Sequence, residues 1–169
     1  MAPEAARVAL TQLRERLIAL SDDVHRISRR LHPAILDDLG LTDAIRSECD
    51  RISNEDKIAV DFHGGRLPEY LPKDSALCLY RVAQEALRNA VKHSRTERID
   101  VTLSGDAEFL YLEVRDFGGG FDPDAGRRQP GLGLASMEER VRLADGTLTI
   151  GSAPDQGTCV SVPLPLRSE

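Results

Sequence analysis

Two closely spaced clusters of glycine constrain the fold of this chain more than any other feature. The first is the run DFGGGF at residues 116–121, and the second is the run GLGL at residues 131–134. Glycine at this density costs conformational entropy, so the backbone must turn with positive φ or approach another group closely. The second cluster also opens an apolar-periodic segment, and the free N–H groups at the start of a helix favour an anion. The two clusters therefore predict a binding site at which the backbone contacts an anionic ligand.

A predicted helix upstream carries the run QEALRNAVKHS at residues 84–94. At about 100° per residue, Glu85, Asn89 and Lys92 fall within about 60° of one another, opposite the apolar face. Taken alone, a solvated helix face explains this stripe equally well. Asparagine forms helices weakly, however, and its amide oxygen is a ligand type that Mg²⁺ prefers. Glu85 can orient a water or polarise an attacking group, and Lys92 or His93 can meet a phosphate.

Asp116, the first residue of the DFGGGF run, ends an apolar strand. A carboxylate there can accept a hydrogen bond from an exocyclic amine such as that of adenine, and the glycines let a purine lie against the backbone. For the isolated motif, a tight Asp-Gly turn is the simpler explanation. The Asp-Phe-Gly motif of protein kinases is excluded, because the glycine-rich strand, the VAIK lysine and the HRD loop that should precede it are missing.

Residues 122–130, between the clusters, are polar and contain Pro and Gly, which predicts a short mobile lid. The GLGL run then enters a helix whose backbone N–H groups can bind phosphate oxygens. A helix start that needs a flexible backbone explains a lone G-x-G equally well. No Gly-Lys-Ser/Thr follows, so this is not a Walker A loop. The carboxylate, the amide and the glycine turn together predict a nucleotide site.

The N-terminal segment has the cleanest periodicity in the chain. Its apolar residues follow strict three-four spacing: Leu10, Leu13, Leu17, Leu20, Val24, Ile27 and Leu31. This spacing predicts a helix that ends near Pro33 and pairs along a narrow seam in a coiled coil or antiparallel bundle. The alternative is a lone amphipathic helix packed on its own domain, although such a helix usually has a wider apolar stripe.

The rest of the chain alternates between helical and strand patterns, which predicts an α+β fold. After a connector at 34–41, helices are expected at 42–53, at a segment that starts near Pro72 with Asp74 as its cap, and at 134–144. Strands are expected at 57–63, 99–103, 110–114, 148–150 and 159–162. This order predicts a helical stalk followed by a two-layer α/β sandwich with antiparallel hairpins.

Composition excludes several classes of function. The net charge is −6 and no basic run exceeds a pair, which argues against nucleic acid as a partner. The three cysteines are widely spaced, which favours reduced thiols over zinc or disulfides. No apolar stretch approaches the roughly 20 residues that span a bilayer, and no signal-peptide region opens the chain. We therefore expect a cytoplasmic protein without direct membrane contact, which could still be one piece of a membrane-anchored whole.

In this order the motifs resemble the ATP-binding domain shared by gyrase, Hsp90, histidine kinases and MutL, the Bergerat fold. QEALRNAVKHS is similar to its N box, DFGGGF to its first glycine box and GLGLASMEERV to its second, and residues 146–150 and 157–160 are similar to its closing hairpin. The resemblance spans about residues 57–165. It implies a mixed sheet with helices on one face, here preceded by the long N-terminal helix.

The run ISRRLHPAILDDLGL at residues 27–41 resembles the second dimerisation helix and linker of nitrate-sensor-type two-component histidine kinases. This resemblance implies a dimerisation helix and linker at residues 1–40 and an ATP-binding catalytic domain at residues 41–169. It implies ATP and Mg²⁺ as cofactors and transfer of the γ-phosphoryl group to a histidine. The implied partners are a second copy of the protein, through the N-terminal helix, and a response regulator.

The resemblance also implies roles for single residues. Asn89 would hold Mg²⁺, Glu85 would assist its water or the transfer, and Asp116 would bind the adenine amino group. The other ATP-binding residues would line the base pocket or the phosphate site: Lys92, His93, Gly118, Gly120, Gly131, Leu132, Gly133, Leu134 and Thr158.

One departure concerns the phosphoacceptor, which in this family is a histidine followed by Asp or Glu. Here His25 is followed by Arg and His32 by Pro, so we expect the chain to lack the acceptor and to fail to phosphorylate itself alone. A serine kinase of the anti-sigma-factor type and a non-catalytic dimerising nucleotide sensor are alternatives on the same fold. The N-terminal seam and the run LHPAILDDLGL at residues 31–41 argue against the serine kinase, because they resemble parts of a kinase dimer.

Overall fold

Side chains alternate between the two faces of a strand, so along each strand one face is less exposed than the other. The computed structural model describes residues 33–122 and 132–166, in which five strands form one sheet: β1 (Ala59–Gly64), β2 (Arg98–Gly105), β3 (Phe109–Asp116), β4 (Thr149–Ser152) and β5 (Thr158–Pro165). The α-helices are α1 (Ala34–Asp56), α2 (Lys73–Asn89) and α3 (Leu132–Leu143). The predicted α+β class with a mixed sheet is confirmed, whereas the seam helix of residues 10–31 lies outside the described residues.

The strands follow the order β1-β2-β3-β5-β4 across the sheet. β1 and β2 are parallel and are joined through α2, and the other three pairs are antiparallel. The last residue of β3, Asp116, lies opposite Thr158 at the start of β5, which in turn lies opposite Ser152 of β4. Because cross-strand partners point to the same face, Asp116, Thr158 and Ser152 form one row, which we call the cross-strand row.

Helix α2 covers the buried face of the sheet. Its buried residues Leu79, Val82, Ala83 and Leu87 recur at helical spacing, and the helix contacts β3, β5 and α3. The expectation that Asp74 caps this helix is wrong. Pro72 occupies the cap position without a side-chain hydrogen bond, and Asp74 lies in the first turn, where a carboxylate is favoured by the helix dipole.

Helix α2 continues into a π-helical turn, Ala90–Ser94, that the sequence did not predict. The hydroxyl of Ser94 donates a hydrogen bond to the carbonyl of Ala90 at 2.6 Å and accepts one from the amide of Thr96 at 3.2 Å. Arg95 then reverses the chain in the left-handed conformation, with φ of 55°. The wider turn shifts the residues that follow Asn89 around the helix, relative to regular α spacing.

The connector expected at residues 34–41 is helical instead. Helix α1 extends from Ala34 to Asp56 with a break at Gly40, where φ is 76° and ψ is 173°. A Cβ at Gly40 would meet nothing within 4 Å, so the backbone angle alone requires glycine. The helix expected at 42–53 is confirmed as the part after this break. By their contacts the residues divide into two units, Met1–Asp38 and Leu39–Glu169, and the sheet lies in the second.

Two buried thiols should make the protein less stable at alkaline pH. Burial raises the pKa of Cys49 to about 12 and that of Cys78 to about 11, from an ordinary value of 9.0. In the unfolded chain these thiols ionise near the ordinary value, so their contribution to stability is complete below about pH 9 and is lost as the pH rises. Urea unfolding at about pH 8 and about pH 10.5 should show a fall in stability that is smaller in Cys49→Ala. An equal fall in both proteins would contradict this assignment.

Candidate functional site

A cavity of about 620 Å³ opens between the end of α2, the start of α3 and the strand ends that carry Asp116 and Thr158. Its volume lies within the range of pockets that hold a small molecule. Ala86, Val114 and Val160 contribute apolar surface. Most of the predicted site residues meet along its walls: Glu85, Asn89, Lys92, His93, Asp116, Gly120, Gly133, Leu134 and Thr158.

Asp116 is only 5% exposed and lines this cavity. The strand pattern of β3 directs its side chain to the buried face, where its neighbours Val114 and Leu112 are apolar. The backbone amide of Gly118 donates a hydrogen bond to Oδ1 at 3.0 Å, which orients the carboxylate. A carboxylate has further lone pairs, so Asp116 can accept a second hydrogen bond from a donor inside the cavity.

The polar stripe of α2 and its π turn forms another part of the cavity wall. The side chain of Glu85 is 24% exposed, and its Oε2 accepts a hydrogen bond from Nη1 of Arg88 at 3.3 Å. Lys92 and His93 are exposed, and Asn89 is half-buried. This wall therefore combines one amide and one carboxylate with two cationic side chains and an imidazole, which suits an anion accompanied by a metal ion.

The first glycine cluster packs closely against backbone oxygens of the protein. A Cβ on Gly118 would overlap the carbonyl oxygen of Ser94, and the amide of Gly119 donates to that same oxygen at 2.8 Å. Gly120 has φ of 57°, and a Cβ there would overlap the carbonyl oxygen of Ala153. The positive φ expected from the sequence is thus present at Gly120. Gly118 faces Ser94 and is absent from the described lining of the cavity, so its contact with a ligand stays a prediction.

Helix α3 begins beside Glu85. A Cβ on Gly133 would overlap Oε1 of Glu85, so glycine here lets the carboxylate lie against the first turn of the helix. Gly133 and Leu134 line the cavity, and the first N–H groups of a helix have no partner within it. Gly131, the side chain of Leu132 and most of the lid expected at 122–130 lie outside the described residues.

Three hydroxyl residues that make hydrogen bonds around the cavity were not predicted from the sequence. The backbone carbonyl of Ser94 accepts a hydrogen bond from the amide of Gly119, and its hydroxyl donates one to the carbonyl of Ala90. The hydroxyl of Thr96 donates to the carbonyl of Arg98 and accepts from the amide of Phe117 at 3.2 Å. Ser152 accepts from the amide of Phe121 at 2.9 Å. Serine and threonine are common in turns and strand ends, so no local signal distinguished these residues.

A buried carboxylate, an amide-bearing helix end and a glycine-containing helix start thus surround one cavity. The profile of the family described as "Histidine kinase-, DNA gyrase B-, and HSP90-like ATPase" matches residues 74–168, which include all three features. The chain belongs to this ATPase family. The resemblance predicted from the N box and the two glycine boxes is therefore confirmed.

Two curated relatives within the family are sensor kinases. The oxygen sensor histidine kinase NreB of Staphylococcus carnosus (strain TM300) is 36% identical over 147 residues, which cover 87% of this chain and 42% of NreB. The signal transduction histidine-protein kinase/phosphatase UhpB of Salmonella typhimurium is 42% identical over 160 residues, which cover 92% of this chain and 31% of UhpB. The chain spans less than half the length of these relatives.

Solved structures of two histidine kinases share the fold. The histidine kinase domain of the blue-light activated kinase of Erythrobacter litoralis EL346 has a TM-score of 0.65 at 21% identity and covers 75% of this chain and 61% of that one. The Acinetobacter baumannii histidine kinase AdeS has a TM-score of 0.61 at 14% identity and covers 99% of this chain and 87% of that one. At these identities the likeness concerns the fold alone.

Within residues 33–122 and 132–166, no helix combines the length and the apolar character that a membrane-spanning segment needs.

Proposed function

We propose that this chain is the ATP-binding catalytic portion of a two-component sensor histidine kinase. It would bind Mg-ATP in the 620 Å³ cavity and present the γ-phosphoryl group to a histidine on a dimerisation helix, for relay to a response regulator. The observation that carries the proposal is the buried carboxylate of Asp116, which lines the same cavity as Glu85 and Asn89. Membership of the ATPase family and the two sensor-kinase relatives support it.

Within the cavity we assign the base to the end formed by the strands and the phosphates to the end formed by the helices. Asp116 would accept a hydrogen bond from the adenine amine, with Thr158 and Gly120 beside it and Gly118 behind. The phosphates would meet cationic side chains and free backbone N–H groups. The residues proposed for that end are Lys92, His93, Gly131, Leu132, Gly133 and Leu134.

Mg²⁺ fits this arrangement as an ion with few protein ligands. In the described part of the chain no three His, Cys, Asp or Glu side chains are grouped to hold a metal. Mg²⁺ commonly keeps several waters and binds substrate phosphates together with one or two protein oxygens. We propose that Asn89 supplies such an oxygen and that Glu85 orients a coordinated water. When bound, the ion would neutralise charge that develops on the transferred phosphoryl group.

The remaining parts of the proposal concern the whole protein. We propose that residues 1–40 form a dimerisation helix and linker, and that residues 41–169 form the catalytic domain, which works in the cytoplasm where ATP is available. His25 and His32 lie outside the described residues, and neither precedes an acidic residue. We therefore propose that another histidine accepts the phosphoryl group.

Asn89→Ala should remove the Mg²⁺-dependent part of ATP binding. The substitution deletes one metal ligand and leaves the base end of the cavity intact, so affinity in the presence of Mg²⁺ should fall about tenfold, with little change in EDTA. Calorimetry with ATP, with and without Mg²⁺, measures both values. The same variant should fail to transfer ³²P from labelled ATP to an acceptor helix supplied separately.

Asn54→Ala is the matched control, because Asn54 is an exposed asparagine on α1 and lies outside the cavity. It should bind ATP as the wild type does. Unchanged Mg²⁺ dependence in Asn89→Ala removes the metal assignment. Absence of ATP binding by the wild type removes the proposed function as a whole.

A further inference from the structure

The hydroxyl of Ser152 contacts three groups at the end of the cross-strand row. Its Oγ accepts a hydrogen bond from the backbone amide of Phe121 at 2.9 Å and donates one to the carbonyl oxygen of Gly157 at 2.9 Å. It also lies 3.0 Å from Oγ1 of Thr158. Thr158 lines the cavity, whereas Ser152 pairs with Thr158 on the neighbouring strand and is not among the residues that line the cavity.

The number of protons decides the direction of these hydrogen bonds. A serine hydroxyl has one proton and two lone pairs. The amide of Phe121 can only donate and the carbonyl of Gly157 can only accept, so the proton of Ser152 goes to Gly157. The contact between the two hydroxyls is then a hydrogen bond only when Thr158 is the donor. Ser152 thereby occupies the single proton of Thr158 and leaves that hydroxyl with lone pairs alone for a ligand.

Thr158 lies directly beside Asp116 in the sheet register, and the two side chains point to the same face. An ionised carboxylate also offers only acceptors. The base end of the cavity thus has two neighbouring hydrogen-bond acceptors, one on Asp116 and one on Thr158. An exocyclic amine has two N–H donors that satisfy such a pair, whereas a carbonyl oxygen in the same position would face two acceptors.

We propose that Ser152 is a positioning residue that sets base specificity, because it fixes the hydroxyl of Thr158 as an acceptor and so selects a 6-aminopurine over a 6-oxopurine. This inference rests on the proposed nucleotide site and adds the source of its selectivity. Without the Ser152 hydroxyl, the proton of Thr158 is free to turn toward the cavity and to be donated to a 6-oxo group.

The test compares ADP with inosine diphosphate, which carries an oxygen at position 6 and a proton on N1. The measured quantity is the ratio of the dissociation constant for inosine diphosphate to that for ADP, by calorimetry on the full chain. Ser152→Ala should lower this ratio about tenfold, the effect of reversing one hydrogen bond at a binding site. Ser152→Thr retains the hydroxyl and should keep the ratio of the wild type.

Ser161→Ala is the matched control, because Ser161 lies on the same hairpin and its position three residues after Thr158 places it on the opposite face of the sheet. It should leave the ratio unchanged. If Ser152→Ala does not fold, Thr158→Val removes the acceptor hydroxyl itself. This variant should also lower the ratio of the dissociation constant for inosine diphosphate to that for ADP. Binding of both nucleotides with an unaltered ratio in the folded variants overturns the inference alone. A wild type that binds neither nucleotide overturns the proposed site as well.

Discussion

Asp116→Asn should weaken ATP binding at least about 100-fold while the fold stays intact. The amide oxygen of asparagine can still accept the hydrogen bond from Gly118, so the local structure is preserved. The NH₂ group then replaces the second carboxylate oxygen, and a donor faces the donor of an adenine amine. Loss of a charge-assisted hydrogen bond and the opposition of two donors cost about 3 kcal/mol together, which corresponds to the stated loss of affinity.

Calorimetry with ATP measures this loss, and a thermal melt checks the fold. Asp61→Asn is the matched control, because Asp61 lies on β1 with a side chain 51% exposed, pairs with Arg98 at 3.2 Å and is not part of the described cavity wall. It should bind ATP with the affinity of the wild type. If folded Asp116→Asn binds ATP within about threefold of the wild type, Asp116 does not recognise the base.

The wall formed by α2 could be predicted because helix phase is a local property. The spacing of Glu85 and Asn89 alone indicates that they share a side of α2, and both line the cavity. Lys92 also lines the cavity, but it lies in the π turn, where regular α spacing does not apply. The alternation of β3 likewise assigns Asp116 to the apolar face. That these elements meet at one cavity depends on the tertiary fold. The spacing of residues does not indicate whether these elements meet, and only the ordered resemblance to the ATPase family predicted that they do.

The hydrogen bonds behind the cavity could not be predicted, because their partners are distant in sequence. Phe121 and Ser152 are separated by 31 residues, and Phe117 and Thr96 by 21. The π turn also takes part in a hydrogen bond between distant residues, since the carbonyl of Ser94 at its end accepts one from the amide of Gly119. A glycine cluster in the sequence indicates that something approaches closely, but not whether that is a ligand or the chain itself.

That distinction can be measured at Gly118, where alanine should destabilise the protein by about 3 kcal/mol. A Cβ at this position would overlap the carbonyl oxygen of Ser94 and would lie 2.6 Å from both its carbonyl carbon and its Cβ. These are atoms of the π turn, whose backbone is fixed by its own hydrogen bonds and cannot move away as a flexible side chain could. Urea unfolding of Gly118→Ala measures the loss, which is a large fraction of the stability of a typical domain.

Gly119→Ala is the matched control for Gly118→Ala, because a Cβ on Gly119 has the Ser94 carbonyl oxygen as its nearest neighbour at 3.8 Å, an ordinary contact. It should change the free energy of unfolding by less than about 0.5 kcal/mol, since it adds a methyl group without an overlap. Equal stability of the two variants would mean that packing against the π turn does not require glycine at 118. The requirement would then belong to the ligand, and Gly118→Ala would weaken ATP binding without weakening the fold.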